Sequence, residues 1–206
     1  MDKAQISQYL ENRLDGRAVK AALFTTYTFD PTFFELDVIP LLLHKDSALS
    51  IDERVKQFQV REALREAELP IDVFYDHNIF RVSGETSPTM EYGCHGVSEG
   101  NRAFHAKLVL LLVDNGGDQP DSLLVAAGSN NLTRAGWWDN IECQHWEEVT
   151  ETGTDERFIE VLQEDLGYLD TRRITGSENS AVARIQAFLD QCESDPKAAP
   201  VHYFGL

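Results

Sequence analysis

The stretch that decides the fold is FHAKLVLLLVDNGGDQPDSLLVAAGSNNLTRAGWWDNIE, residues 104–142. Two aliphatic runs, 104–113 and 122–127, are predicted to be strands, because a turn sequence rich in Gly, Asn and Asp separates them. A short helix over 133–138 is predicted to lead to a third strand over 140–149. The pattern therefore predicts three successive strands with short connections.

Outward from this stretch, strands and helices alternate along the chain. The other predicted elements are a helix over 1–20 closed by Asp15-Gly16, a strand over 21–29, a helix that begins at an Asp30 N-cap and is limited by Pro40, a helix over 51–69, a strand over 71–75, a loop over 83–101, and helices over 155–169 and 178–192. This order predicts an α/β fold, a mixed β-sheet with helices on both faces. We expect one domain over 1–175 and a C-terminal helix and tail over 176–206.

The charge of the chain restricts its partners. Its 206 residues carry 18 Lys and Arg against 35 Asp and Glu, a formal net charge of −17. Long-range attraction to phosphate or anionic lipid is therefore unfavourable, and any anion site must be local. The sequence has no GxGxxG or GxxxxGK[ST] loop, so no cofactor is predicted. Three widely spaced cysteines and a polar N-terminus predict reduced thiols in the cytoplasm.

The polar residues of the deciding stretch are spaced to converge. His105 and Lys107 are two apart on a predicted strand, so they share one face. The next strand ends in 128–131 (GSNN), and Asn140 and Glu142 share a face of the third strand. Adjacent strands would thus bring together a nucleophile, a cation, an amide donor and a carboxylate. Phosphoryl chemistry needs this set of groups.

The order H-x-K, G-S-x-N, N-x-E resembles the phospholipase D superfamily. The matching positions are His105, Lys107, Gly128, Ser129, Asn131, Asn140 and Glu142. The H-x-K…N spacing is also similar to that of tyrosyl-DNA phosphodiesterase. One position departs from the superfamily pattern, since Leu112 stands where an Asp is expected and Asp114 is out of register. The resemblance implies a phospholipase D-like half as the fold.

The resemblance implies a mechanism without a metal. One histidine attacks phosphorus to form a phosphohistidine, and a second histidine protonates the leaving oxygen. The residues expected to be catalytic are His105, Lys107, Asn131 and Glu142. The residues expected to bind substrate are Ser129, Asn140, Arg102 and Arg134. No metal ligand is predicted, because Cys94, His95, Cys143 and His145 fit no ordinary zinc spacing.

The chain carries one copy of the motif. Of its six histidines only His105 is followed by a lysine two residues later. The adjacent pair His44-Lys45 is interpreted as a helix end. The second half of the site must therefore come from a homodimer mate or from a second phospholipase D-like half.

The predicted function is a metal-independent phosphodiesterase, with DNA as the favoured substrate. Nuclease modules of restriction or defence proteins resemble it. One alternative is a phospholipid-headgroup hydrolase, although no stable membrane association is predicted without an amphipathic segment rich in Lys and Arg. The other alternative is a catalytically silent nucleic-acid-binding or assembly module. Of Trp137 and Trp138, one is expected to be a core residue.

Overall fold

The computed structural model describes residues 6–45, 49–83, 89–174, 179–195, 198–199 and 201. Its fold is α/β, as predicted. The helices are α1 (Ile6–Leu14), α2 (Pro31–Phe33), α3 (Ile39–Leu42), α4 (Glu53–Ala67), α5 (His77–Ser83), α6 (Glu156–Asp170) and α7 (Ala181–Leu189), with π-helical turns π1 (Phe34–Val38) and π2 (Ala135–Asp139). The strands are β1 (Ala18–Thr26), β2 (Ile71–Asp76), β3 (Gly93–Val97), β4 (Leu108–Asp114), β5 (Ser122–Gly128), β6 (Gln144–Thr150), β7 (Thr152–Thr154) and β8 (Glu193–Ser194).

The main sheet is mixed, with the strand order β3-β2-β1-β4-β5-β6. β1, β2 and β3 run parallel to one another. β4 pairs antiparallel with β1, β5 with β4, and β6 with β5. The ends of β1 and β5 and the starts of β4 and β6 consequently meet at one edge of the sheet. We call this edge the site edge.

Helices cover both faces of the sheet, which confirms the predicted layers. Alternate residues of β4 serve two separate cores. Val109 and Leu111 pack with α1 to α4, whereas Leu110 and Leu112 pack with α6 and α7.

The first helix is closed at Asp15-Gly16 as predicted, but its predicted extension to 20 and the predicted start of the next strand at 21 need correction. The helix ends at Leu14, and Asp15 and Gly16 adopt left-handed φ values of 48° and 76°. Residues predicted to continue the helix instead begin β1, where Ala18 pairs with Asp114. Long-range pairing thus overrides the local pattern.

The helix after β1 begins as predicted but ends later. The Asp30 carboxylate accepts a hydrogen bond from the backbone N–H of Phe33 at 3.0 Å, an N-cap. Pro40 does not end the helix, because it lies at the start of α3, directly after π1. A proline is tolerated in the first turn of a helix, where its missing N–H is not needed.

The predicted loop over 83–101 contains β3. Two glycines and few branched side chains hide this strand in the sequence, and its pairing with β2 from Asp72↔Gly93 to Asp76↔Val97 creates it. The small β7–β8 sheet was likewise not predicted.

β4 and β6 are shorter than predicted. β4 begins at Leu108 rather than at 104, and β6 begins at Gln144 rather than at 140. His105, Lys107, Asn140 and Glu142 therefore lie in the segments that lead into these strands. In those segments side chains, in place of ladder partners, accept from the backbone N–H groups of Phe104, Leu108 and Cys143, as described below.

A buried Asp–His pair ties α7 to the sheet. The Nε2–H of His95 on β3 donates to Asp72 Oδ1 on β2 at 2.9 Å, and His95 Nδ1 accepts from the backbone N–H of Ile174 at 3.2 Å. Asp72 Oδ2 accepts from the backbone N–H of Val182, in the first turn of α7, at 3.1 Å. Both side chains are fully enclosed, with 4% and 2% exposure.

We expect Asp72→Ala to lower the free energy of unfolding by about 3 kcal/mol, because two buried N–H groups lose their acceptor. Urea denaturation followed by circular dichroism measures the change. Asp118→Ala, in an exposed turn, is the control and should stay within about 0.5 kcal/mol of the parent. Equal stability of the two variants would show that the pair does not clamp α7.

Candidate active site

Side-chain acceptors hold the segment that carries His105 and Lys107. Asp76, at the end of β2, accepts from the backbone N–H of Phe104 at 2.8 Å. Thr25, near the end of β1, accepts from the backbone N–H of Leu108 at 2.8 Å. The three residues between these anchors are thereby fixed across the site edge.

His105 and Lys107 are in direct contact. The ammonium of Lys107 lies 3.1 Å from Nδ1 and 3.3 Å from Nε2 of His105, and it donates to the His105 carbonyl at 2.8 Å. The ring of Tyr27 lies against the imidazole, with 4.8 Å between centroids, and 5.7 Å from the ammonium. The Lys107 cation therefore lies within hydrogen-bond distance of the candidate nucleophile, His105.

This environment favours the neutral form of the imidazole. Partial burial and the adjacent Lys107 charge lower the pKa of His105 below its ordinary value of 6.5, although Asp76 opposes them. Burial also lowers the pKa of Lys107, and the carboxylate of Glu142 counteracts this shift. Because the charge of Glu142 affects the pKa of Lys107, the N-x-E part of the motif is close enough to the H-x-K part for their charges to interact.

The Ser129 side chain joins the end of β5 to the segment before β6. Its hydroxyl donates a short hydrogen bond to the Glu142 carboxylate and accepts from the backbone N–H of Cys143 at 3.1 Å. Asn140 Nδ2 donates to the other Glu142 oxygen at 3.3 Å. Ser129, Asn140 and Glu142 therefore form one polar cluster, as the motif predicts.

Asn131 is held by the loop that follows β1. Its Oδ1 accepts from the backbone N–H groups of Tyr27 and Thr28, both at 3.2 Å. Thr26, the last residue of β1, accepts from the backbone N–H of Leu132 at 2.9 Å. The Nδ2 of Asn131 donates to no residue that the structure describes, so it is the end of the side chain that can bind a ligand. Asn131 is linked to His105 through Tyr27, which contacts both residues.

Two glycines permit the close packing of this loop. A Cβ on Gly136 would lie 2.4 Å from the backbone oxygen of Asn131, and one on Gly128 would lie 2.7 Å from Asn130 Oδ1 and 2.8 Å from the Cys143 oxygen. Any larger residue at either position would push the motif residues apart.

The two arginines expected to bind substrate have other contacts. The guanidinium of Arg134 lies 4.6 Å from the ring centroid of Trp138. Arg102 forms a backbone bridge with Glu99, and its charge helps to lower the pKa of that carboxylate. Both side chains are exposed, and neither forms a hydrogen bond or ion pair with a motif residue within the described part of the chain.

Among the residues that the structure describes, the other histidines and cysteines do not assemble a metal site. His44 lies two residues after the end of α3 with a φ of 52°, which confirms its interpretation as a helix end. Burial raises the pKa of the Cys94 thiol to about 12, whereas Cys143 is exposed. His145 contacts Glu147 at 2.6 Å. Across the described ranges no three His, Cys, Asp or Glu residues cluster as metal ligands would.

Sequence reasoning missed four residues that shape the site. They are Thr25, Thr26, Tyr27 and Asp76. The first three belong to a run that the sequence marked only as a strand, and Asp76 directly follows the core of β2. A polar residue at the end of a buried strand was the signal that could have indicated them.

Comparison with solved structures finds matches to the fold of this chain. The fold is similar to the crystal structure of Nuc, a phospholipase D family member from Salmonella typhimurium, with a TM-score of 0.43 and 14% identity over 81% of this chain and 88% of that chain. No family model and no curated protein matches the chain.

The described helices include none that is both long and apolar enough to span a bilayer.

We expect Lys107→Met to raise the pKa of His105 toward 6.5, because a neighbouring positive charge that disfavours the imidazolium is removed. The rise should be partial, since burial is the larger cause of the lowered pKa. Titration of the His105 ring signals by NMR measures it. Lys20→Met, which removes a cation paired with Asp121 at the other end of β1, is the control and should leave the His105 titration unchanged. An unaltered His105 midpoint in Lys107→Met would contradict the contact.

Proposed function

We propose that the chain is a phospholipase D-like half of a metal-independent phosphodiesterase that cleaves DNA. The observation that carries the proposal is the contact of the Lys107 ammonium with the His105 imidazole. A lowered pKa keeps that imidazole neutral near pH 7, as a nucleophile must be. The order of the motif and its resemblance to tyrosyl-DNA phosphodiesterase support DNA as the substrate.

Each residue has a role in the proposed reaction. A ring nitrogen of His105 donates its lone pair to phosphorus, and the bond from phosphorus to the leaving oxygen breaks. Lys107 and the Nδ2 of Asn131 stabilise the charge on the non-bridging oxygens. Glu142 favours the protonated form of Lys107 and, with Asn140, orients the Ser129 hydroxyl. Water then attacks the phosphohistidine and releases the phosphate product.

A second histidine must complete this reaction. In-line displacement needs an acid within hydrogen-bond reach of the leaving oxygen, on the side opposite the nucleophile. His105 cannot occupy both positions, and no second H-x-K exists in the sequence. We propose that a second copy of the chain, or another phospholipase D-like half, supplies the missing histidine.

The charge of the chain makes local cations necessary. Free DNA is repelled by a net charge of −17, so Lys107 has to act at short range, where the field of a nearby cation dominates. Arg102 and Arg134 are the exposed cations that we propose bind the flanking phosphates. The three free cysteines support a reducing, cytoplasmic location.

We expect His105→Ala to abolish cleavage of single- and double-stranded oligonucleotides while the unfolding curve stays close to that of the parent, because His105 is exposed. The assays are run in EDTA, since the proposed route requires no metal. His44→Ala, at the end of α3, is the control and should retain full activity.

Different failures point to different errors. Undiminished cleavage by His105→Ala would show that the site is wrong. Loss of parental activity in EDTA, with recovery in magnesium, would show that the mechanism is wrong. Hydrolysis of phosphatidylcholine vesicles but not of DNA would favour the headgroup-hydrolase alternative, and binding of DNA without cleavage would favour the silent module.

We expect the active species to be a dimer that dissociates at low salt, where repulsion between two acidic chains is least screened. Sedimentation velocity across a salt series, with activity measured in parallel, tests this.

Ile141 is 88% exposed between Asn140 and Glu142, so Ile141→Asp should weaken a dimer formed about the site. Ile174→Asp, at a 69% exposed isoleucine near the end of α6, is the matched control. A monomer that still turns over DNA would contradict the half-site proposal, and an inactive monomer would point to a separate second half.

A further inference from the structure

Trp137 presents an unusual buried donor. Its side chain is 3% exposed, and its Nε1 has no hydrogen-bond partner among the described residues. Leaving a buried N–H unpaired is costly, and native proteins almost always pair such groups with protein or ordered water. The chain offers two comparisons, because Nε1 of Trp138 donates to Ser7 at 3.2 Å and Nε1 of Trp146 donates to Gln144 at 3.1 Å.

A small cavity adjoins Trp137 at the site edge. Its volume is about 10 Å³, which corresponds to one water molecule. The polar residues in its lining are Thr25, Lys107, Asn130 and Trp137, and the rest of the lining is apolar. The cavity thus lies between the buried indole and one of the candidate catalytic side chains.

A chain of hydrogen bonds leaves one end of Asn130 available to this cavity. Trp146 fixes Gln144, whose Nε2 donates to Asn130 Oδ1 at 2.9 Å. The Nδ2 of Asn130 donates to no described residue, although the residue is only 6% exposed. The hydroxyl oxygen of Thr25 accepts from Leu108 and keeps a second lone pair that can accept from a water. A bound water would therefore find the two to four polar partners that buried waters require.

We propose that this cavity binds one ordered water, held by Trp137 and Asn130, and that Trp137 is thereby a positioning residue for Lys107. The water accepts a hydrogen bond from the indole N–H of Trp137. It fills the cavity that Lys107 also lines, so the Lys107 side chain packs against it. Trp137 lies within π2, which sets the direction of its side chain. Apolar contacts, including Phe33 with 6.0 Å between ring centroids, keep the indole from turning away.

The water can be detected in the parent protein without any assay of activity. With ¹⁵N-labelled tryptophan, we expect the indole proton of Trp137 to show cross-peaks to water of opposite sign in NOE and ROE spectra, which identify a bound water and exclude rapidly exchanging surface water. The indole protons of Trp138 and Trp146 should show no such pair of cross-peaks. Cross-peaks from the Trp137 indole proton to the Phe33 ring alone would mean that the N–H faces an aromatic ring, and would overturn the proposal.

The positioning role has its own measurement. Trp137→Phe keeps an aromatic ring but removes the N–H, so we expect the water cross-peak of the Asn130 side-chain amide to disappear. The midpoint of the His105 titration should then rise, because a displaced Lys107 no longer disfavours the imidazolium. Trp138→Phe is the matched control and should change neither signal.

A His105 midpoint unchanged by Trp137→Phe would overturn the positioning role. If that variant does not fold, the parent spectra still decide whether the water is present. Because neither measurement uses cleavage, failure of this inference is distinguishable from failure of the proposed nuclease activity.

Discussion

The antiparallel pairing of β1 with β4 is the constraint on which the rest of the structure depends. Phe24 pairs with Val109, so the end of β1 lies beside the segment that carries His105 and Lys107. From β4 the pairing continues to β5 and β6, which places the other motif residues at the same edge. The registers of these strand pairs are fixed by hydrogen bonds. Motif residues that are far apart in the chain therefore lie close together at one end of the sheet.

Short polar side chains at the ends of buried strands then convert this edge into a site. Asp76, Thr25 and Thr26 accept hydrogen bonds from backbone N–H groups that no ladder satisfies. Each acceptor joins two segments, and a buried N–H without a partner would be costly. The same groups that complete the backbone hydrogen bonding therefore fix the active-site loops, so stability and the proposed function share these residues.

Electrostatics act on two scales in this molecule. The chain as a whole is strongly acidic. At the candidate site, however, the Lys107 ammonium contacts His105, and the nearby carboxylate of Glu142 raises the pKa of Lys107 against the effect of burial. Partial burial strengthens such local fields relative to the screened surface charge. The field at the candidate site is therefore set at short range, by the positions of a few side chains.

The sequence by itself determined the layered α/β class, the Asp30 cap, the central aliphatic strands and the motif residues, because hydrophobic periodicity, capping and turn chemistry are local properties. Only the tertiary structure decided that 18–20 extend β1, that the glycine-rich 93–97 form a strand, and that His105 and Glu142 precede their strands instead of lying within them. Only the fold shows the roles of Asp76 and Thr25 and the buried donor of Trp137. The physical reason is that each of these features is a hydrogen bond or close contact between residues distant in sequence, and no local pattern records its partner.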